Sequence, residues 1–270
     1  MANLTEIAKG YRSQLFEKFV ETAQGHPGST FSMLDIVTTL YHGGFVRFDE
    51  EKKQFIDKVI ISKGHATVAL YPILTKFGVI DQKDWDNWGK SESVLRIFGN
   101  TTIPGIDATS GSLGHGIGVG AGMALSYKRS GISKKVFVVI SEGELYEGST
   151  WEGLLFAAHN KLDNLTIFID INSLIILGGT DDCLALNSIK DKLSGWGFVT
   201  AEVDGHNCEQ IEERLHALES YSHEDKDMPR IVFAKTTKGK GFSVMENKPN
   251  WHYWNPLTDE QIEQCRKEIA

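Results

Sequence analysis

Residues 134–174 read KKVFVVISEGELYEGSTWEGLLFAAHNKLDNLTIFIDINSL, and they carry a strand–helix–strand signature. KKVFVVI and LTIFIDI are apolar, rich in β-branched residues and unalternating, the pattern of central parallel strands covered on both faces. The intervening STWEGLLFAAHNKLD has a helical pattern. A strand–helix–strand unit of this kind predicts a parallel α/β sheet. Ligands of such sheets bind at the carboxyl ends of the strands. That rule brings the acidic turn SEGELYEG and the segment NSLIILGG to one edge. Glu142, the amide of Asn172 and nearby main-chain carbonyls are oxygen donors of the kind a magnesium ion takes. The competing reading of Glu142, Glu144 and Glu147 is an ordinary solvated turn.

The flanking sequence continues the alternation. Residues 3–22 read as a helix. GHPGST (25–30) reads as a turn into the helical FSMLDIVTTLYHGG, with Ser29 or Thr30 near its N-cap. KVIISKGHA (58–66) predicts a short buried strand and a turn, followed by a helix over TVALYPILTKFG. Residues 81–112 hold two tryptophans, several glycines and a proline, and read as irregular. GHGIGVGAGMALSYKRSG predicts a helix that starts glycine-rich, IVFAKT a further strand, and TDEQIEQCRKEI a terminal helix capped by Thr258. No internal repeat or long linker interrupts the pattern, and the length fits one large domain or two small ones.

Composition narrows the function classes. With 270 residues, 41% hydrophobic and 24% charged, the chain can bury a sizeable core. The formal net charge of −8 and the lack of a basic block point away from nucleic acid and anionic membrane surfaces. Cys183, Cys208 and Cys265 are far apart and form no CxxC, which reads as reduced thiols in a cytoplasmic protein. The N-terminus lacks the apolar stretch of a signal peptide, and no window has the apolar length to span a bilayer. GHGIGVGAG superficially suggests a dinucleotide loop. It follows no clear strand and lacks a placed ribose acid, and its later glycines read better as close helix-packing positions.

GHPGST, SKGHA, SGSLGHGIGVGAGMAL, GELYEGSTWEGLLFAAHNKLDNLTIFIDINSL, EVDGH and KTTKGKGFSVMENKPNWHYW occur in the order found in transketolases, and the chain resembles that family over nearly its whole length. The length matches only the diphosphate-binding domain, so the resemblance implies one such domain over residues 1–270. The resemblance therefore implies the N-terminal subunit of a split transketolase, with a thiamine diphosphate-binding fold: a central, mostly parallel sheet with helices on both faces. It implies transfer of a two-carbon ketol unit from a ketose to an aldose, with thiamine diphosphate as the electron sink and magnesium (or calcium or manganese) as its metal. A partner chain carrying the pyrimidine-binding domain is implied, in a heterotetramer. Two alternatives remain beside it: a deoxyxylulose phosphate synthase-like acyl transfer, and a non-catalytic subunit that has lost the cofactor.

The same resemblance assigns residues. Glu142 stands where the family has an aspartate metal ligand, Asn172 where it has the second side-chain ligand, and Leu174 where it lends a carbonyl. Gly111, Leu113, Gly143 and Glu144 match cofactor-contacting positions, with Glu144 expected outside the first metal shell. His26, His65 and His252 match histidines lining the substrate channel, where neutral imidazole can donate, accept and relay protons; His65 and His252 are also implied to touch the cofactor. Glu147 matches a glutamate near a subunit interface. His115 replaces a glutamine, with no consequence assigned. A further family histidine falls near Asn100 in GNTTIPG. Asparagine can hydrogen-bond a sugar hydroxyl but cannot shuttle a proton, so a substrate other than the ordinary sugar phosphate is implied.

Overall fold

The computed structural model describes residues 3–186, 189–220 and 227–270. Its helices are α1 (Leu4–Thr22), α2 (Pro27–His42), α3 (Tyr71–Lys76), α4 (Gln82–Asp86), α5 (Gly116–Arg129), α6 (Gly148–His159), α7 (Thr180–Leu184), α8 (Ile189–Gly195), α9 (Cys208–Glu219) and α10 (Asp259–Glu268). Strands β1 (Phe48–Asp49) and β2 (Gln54–Phe55) form a small antiparallel pair. The main sheet comprises β3 (Lys58–Ile61), β4 (Val136–Ser141), β5 (Leu165–Ile171), β6 (Val199–Asp204) and β7 (Arg230–Lys235). It is parallel throughout, in the order β3-β4-β5-β7-β6.

The unalternating strands serve two cores. Val59, Phe137, Val139, Phe168 and Val232 face one apolar cluster, together with residues of α1 and α2. Their neighbours Ile60, Val138, Ile140, Ile167 and Ile231 face the other, with residues of α5 and α6. Successive side chains of a strand point to opposite faces, so both sets must be apolar when helices cover both sides. On the second face α5 lies close to the sheet: a Cβ on Gly120 would collide with the Val138 side chain, which explains the glycine-rich start of that helix.

Three local expectations change. His26, not Ser29 or Thr30, occupies the N-cap of α2; it makes no side-chain cap bond, and Pro27 begins the helix. Ser29 and Thr30 lie buried inside the first turn, because Pro at the first helical position already sets the backbone and needs no N–H partner. The stretch read as one helix over residues 67–78 is a 3-10 helix (Gly64–Leu70) followed by the short α3, with Pro72 in its first turn. Strand β6 is an addition to the expected strands. Its alternation of buried and more exposed residues is that of a sheet edge, which it occupies beside β7 alone. The Thr258 cap of α10 is present as a capping box with Gln261. All three cysteines are free, and among the described residues no helix is long and apolar enough to cross a membrane.

Candidate active site

The carboxyl ends of β3, β4, β5 and β7 run into Ser62–His65, Ser141–Gly143, Asn172–Leu174 and Thr236–Lys238. Together with the start of α2 they enclose a cavity of about 350 Å³. Of the residues expected at the site, His26, His65, Gly111, Leu113, Gly143, Asn172, Leu174 and His252 line it, and so does Glu147.

The three histidines converge from distant parts of the chain. Ring centroids of His26 and His65 are 5.0 Å apart, of His26 and His252 5.3 Å, and of His65 and His252 5.1 Å. His65 Nε2 lies 3.0 Å from Ser29 Oγ, so the first turn of α2 fixes that ring. Burial is the main force holding all three imidazoles neutral, with nearby lysine charge adding to it. His26 and His252 are brought down to about 4 and His65 well below its usual range. His26 Nδ1 is buried without a hydrogen-bond partner among the described residues.

Two buried lysines share this wall. Lys63 is ion-paired with the fully buried Asp170 beneath the cavity and also donates to the Ser29 carbonyl and Ser32 hydroxyl. Its charge is thus compensated. Lys238 is 2% exposed, lies 3.4 Å from His252 Nδ1, and has no carboxylate partner among the described residues. Burial, then the charge of Lys63, brings its ammonium down to about 8. A buried cation without a counter-charge is costly, and an anionic ligand in the cavity removes that cost. The Lys238 stem lies over Gly28, where a Cβ would come 2.7 Å from the Trp251 carbonyl and 3.0 Å from Lys238 Cγ. Sequence reasoning does not single out Lys63, Lys238 and Ser29, which also line the cavity. Their signal lies within the quoted motifs SKGHA, TTKGKG and GHPGST.

Three expected residues do not line the cavity. The Glu142 carboxylate accepts the Ser173 N–H at 2.8 Å and the Thr180 hydroxyl at 3.1 Å. Ser173 lies between Asn172 and Leu174, so the three oxygen donors belong to one hydrogen-bonded unit. The backbone bonds across this loop use the carbonyls of Ser173 and Gly178, not that of Leu174. Burial, with the charges of Asp170 and Asp181, pushes the Glu142 carboxyl up. One carboxylate, one amide oxygen and one carbonyl in surplus negative charge fit a hard divalent cation in donor chemistry. Glu144 is fully buried and accepts from the Ser62 hydroxyl, the Gly114 N–H and the Ser141 N–H. It ties three loops around the cavity together rather than facing it. The Asn100 side-chain oxygen accepts from the N–H and hydroxyl of Thr102, closing its own turn. In that region Phe98 reaches the cavity instead, with its ring 5.8 Å from that of His26. His115 is exposed, with Nδ1 3.1 Å from the Leu113 carbonyl.

A histidine triangle beside an uncompensated lysine, at the carboxyl edge of a parallel sheet, coincides with a match to one family over residues 5–270: "Transketolase, thiamine diphosphate binding domain". The chain belongs to the transketolase family of transferases. Curated relatives include an apulose-4-phosphate transketolase subunit of Phocaeicola vulgatus, 35% identical over 260 residues, covering 96% of this chain and 91% of that protein. The protein of the same name from Actinobacillus succinogenes is 36% identical over 88% of this chain and 85% of its own length. Among solved structures, the transketolase of Leishmania mexicana superposes with a TM-score of 0.87 at 23% identity. That match takes in 100% of this chain but 41% of the other, so this chain spans less than half of that transketolase. The likeness bears out the thiamine diphosphate-binding α/β fold.

Proposed function

We propose that this chain is the diphosphate-binding subunit of a split transketolase, active in moving a two-carbon ketol unit from a ketose to an aldose. The observation that carries this reading is a cavity combining three neutral histidines with an uncompensated lysine, in a chain coextensive with relatives named as transketolase subunits. Thiamine diphosphate, when bound, supplies the electron sink for carbon–carbon bond cleavage.

The chain's own residues bind and handle protons. Lys238 offsets the charge of the diphosphate. Asn172, the Leu174 carbonyl and Glu142 would hold a divalent cation, magnesium by preference, which would supply the positive charge that the diphosphate needs beside Glu142. Gly143, whose added Cβ would come 3.1 Å from Ile175 Cγ2, keeps this wall narrow. His26 and His252 present neutral imidazoles to hydroxyl and carbonyl oxygens of the sugar, so each can hydrogen-bond in the ground state and exchange a proton as charge develops. His65, held by Ser29, keeps a fixed orientation beside both of them.

The exposed side chains at the rim, Phe98, Ile176 and Tyr253, fit a site completed by a second chain carrying the pyrimidine-binding domain, in a heterotetramer of two copies each. The test is reconstitution. The purified chain alone should show negligible ketol transfer, and mixing with the partner should restore it. Substantial turnover by this chain alone would overturn the reading.

A further inference from the structure

Lys238 stands on a turn clamped from below, and the clamp runs through His206. His206 Nδ1 lies 2.8 Å from Asp35 Oδ2, and His206 Nε2 accepts the Thr237 N–H at 2.8 Å. The second bond fixes the tautomer. Nε2 is the bare nitrogen, so Nδ1 carries the proton and donates it to Asp35. The same Asp35 oxygen accepts from Arg12 Nη2 at 2.7 Å, and Arg12 Nε donates to the Lys240 carbonyl at 3.0 Å. Between these two ties the Gly239 N–H donates to the Gly28 carbonyl at 3.0 Å. The turn is thus held at Thr237, Gly239 and Lys240, immediately around Lys238. Arg12, Asp35 and His206 are largely buried, where hydrogen bonds are strong and costly to leave unmade. None of the three lines the cavity.

We propose that His206 is a positioning residue for cofactor binding: by accepting the Thr237 N–H while locked to Asp35, it aims the Lys238 ammonium into the cavity. The proposal rests on the reading of Lys238 as a diphosphate contact. A residue that acts only through Lys238 contributes nothing once Lys238 is gone, whereas a general structural support contributes in either background.

The measurement is calorimetric titration of thiamine diphosphate, with magnesium, into the full chain together with its partner subunit, with thermal melts of every variant. His206→Ala and Lys238→Ala should each weaken binding about tenfold, and the double variant should bind no more weakly than Lys238→Ala. His206→Gln places an acceptor near the position of Nε2 and should recover most of the affinity. His206→Asn keeps only a donor near Asp35 and should bind as weakly as His206→Ala, even where its melting temperature recovers. Additive losses in the double variant, or rescue by Asn rather than Gln, would overturn the proposal. If Lys238→Ala weakens binding and His206→Ala does not, the positioning role alone falls. If Lys238→Ala has no effect, the diphosphate reading of Lys238 falls and takes the positioning role with it.

Discussion

Nδ1 of His252 lies 3.4 Å from the ammonium nitrogen of Lys238, and burial together with that charge keeps the imidazole neutral far below its ordinary range. His26 is held in the same way. Both fall from 6.5 to about 4 on folding, so between those values the unfolded chain binds more protons than the folded one. Stability should therefore be full above about pH 6.5 and decline as the pH drops toward 4. Urea midpoints measured across that window should fall, and His26→Gln should flatten the slope. A midpoint independent of pH would show that these rings are solvated.

Lys238 predicts a basic limb of opposite character. Its ammonium titrates near 8, and only the charged form attracts the diphosphate. Cofactor affinity should weaken as the pH rises through and beyond that value, and Lys238→Arg should move the loss to higher pH, because guanidinium stays charged. Fluorescence or calorimetric titration at several pH values reads this directly.

Glu142 should support cofactor binding through the metal. Carboxylate and diphosphate repel one another unless a cation lies between them. Glu142→Ala should lower magnesium-supported affinity at least about tenfold, or 1.4 kcal/mol, and Glu142→Asp should retain binding. If Glu142→Ala binds as tightly as the parent and magnesium makes no difference, Glu142 serves only to anchor Ser173 and Thr180.

Glu144 should behave differently, because it supports the loops rather than the ligand. Glu144→Ala leaves the Ser62 hydroxyl and the Gly114 and Ser141 N–H groups without their acceptor. Buried donors left unmade cost about 1–3 kcal/mol each, so a loss of several kcal/mol in urea unfolding is expected. Glu144→Gln, which keeps one acceptor oxygen, should lose less. An unchanged unfolding midpoint for Glu144→Ala would show that these loops are held by other contacts.

The wall at residues 98–100 should bear on substrate choice. It offers the cavity the phenyl ring of Phe98, and Asn100 is spent on Thr102. Poor use of xylulose 5-phosphate relative to a branched or deoxygenated ketose phosphate is expected from the reconstituted enzyme. Steady-state kinetics on a donor panel, with Phe98→Ala alongside, test this. A donor specificity equal to that of an ordinary transketolase would make the altered wall silent.

The sheet was legible in the sequence because strand burial is a local property. A run such as VFVVI declares by its own β-branched, unalternating composition that both faces are covered, and β4 and β5 pair as parallel neighbours accordingly. The rule that ligands bind at the carboxyl ends of strands put Glu142 and Asn172 at one edge, whereas Gly143 and the histidines were drawn to the site only by the resemblance to transketolases. The edge strand β6 escaped because half its residues are solvated and its alternation is short. How the charges meet was not written in any local pattern and emerged from tertiary packing. His26, His65 and His252 become neighbours, Lys63 finds Asp170 and Lys238 finds no carboxylate among the described residues, and Glu144 turns inward while Asn100 turns onto its own loop. The physical reason is that a side chain's charge state and partners depend on distance and burial in a medium of low polarity. Those quantities are set by residues distant in sequence, brought together when the sheet closes.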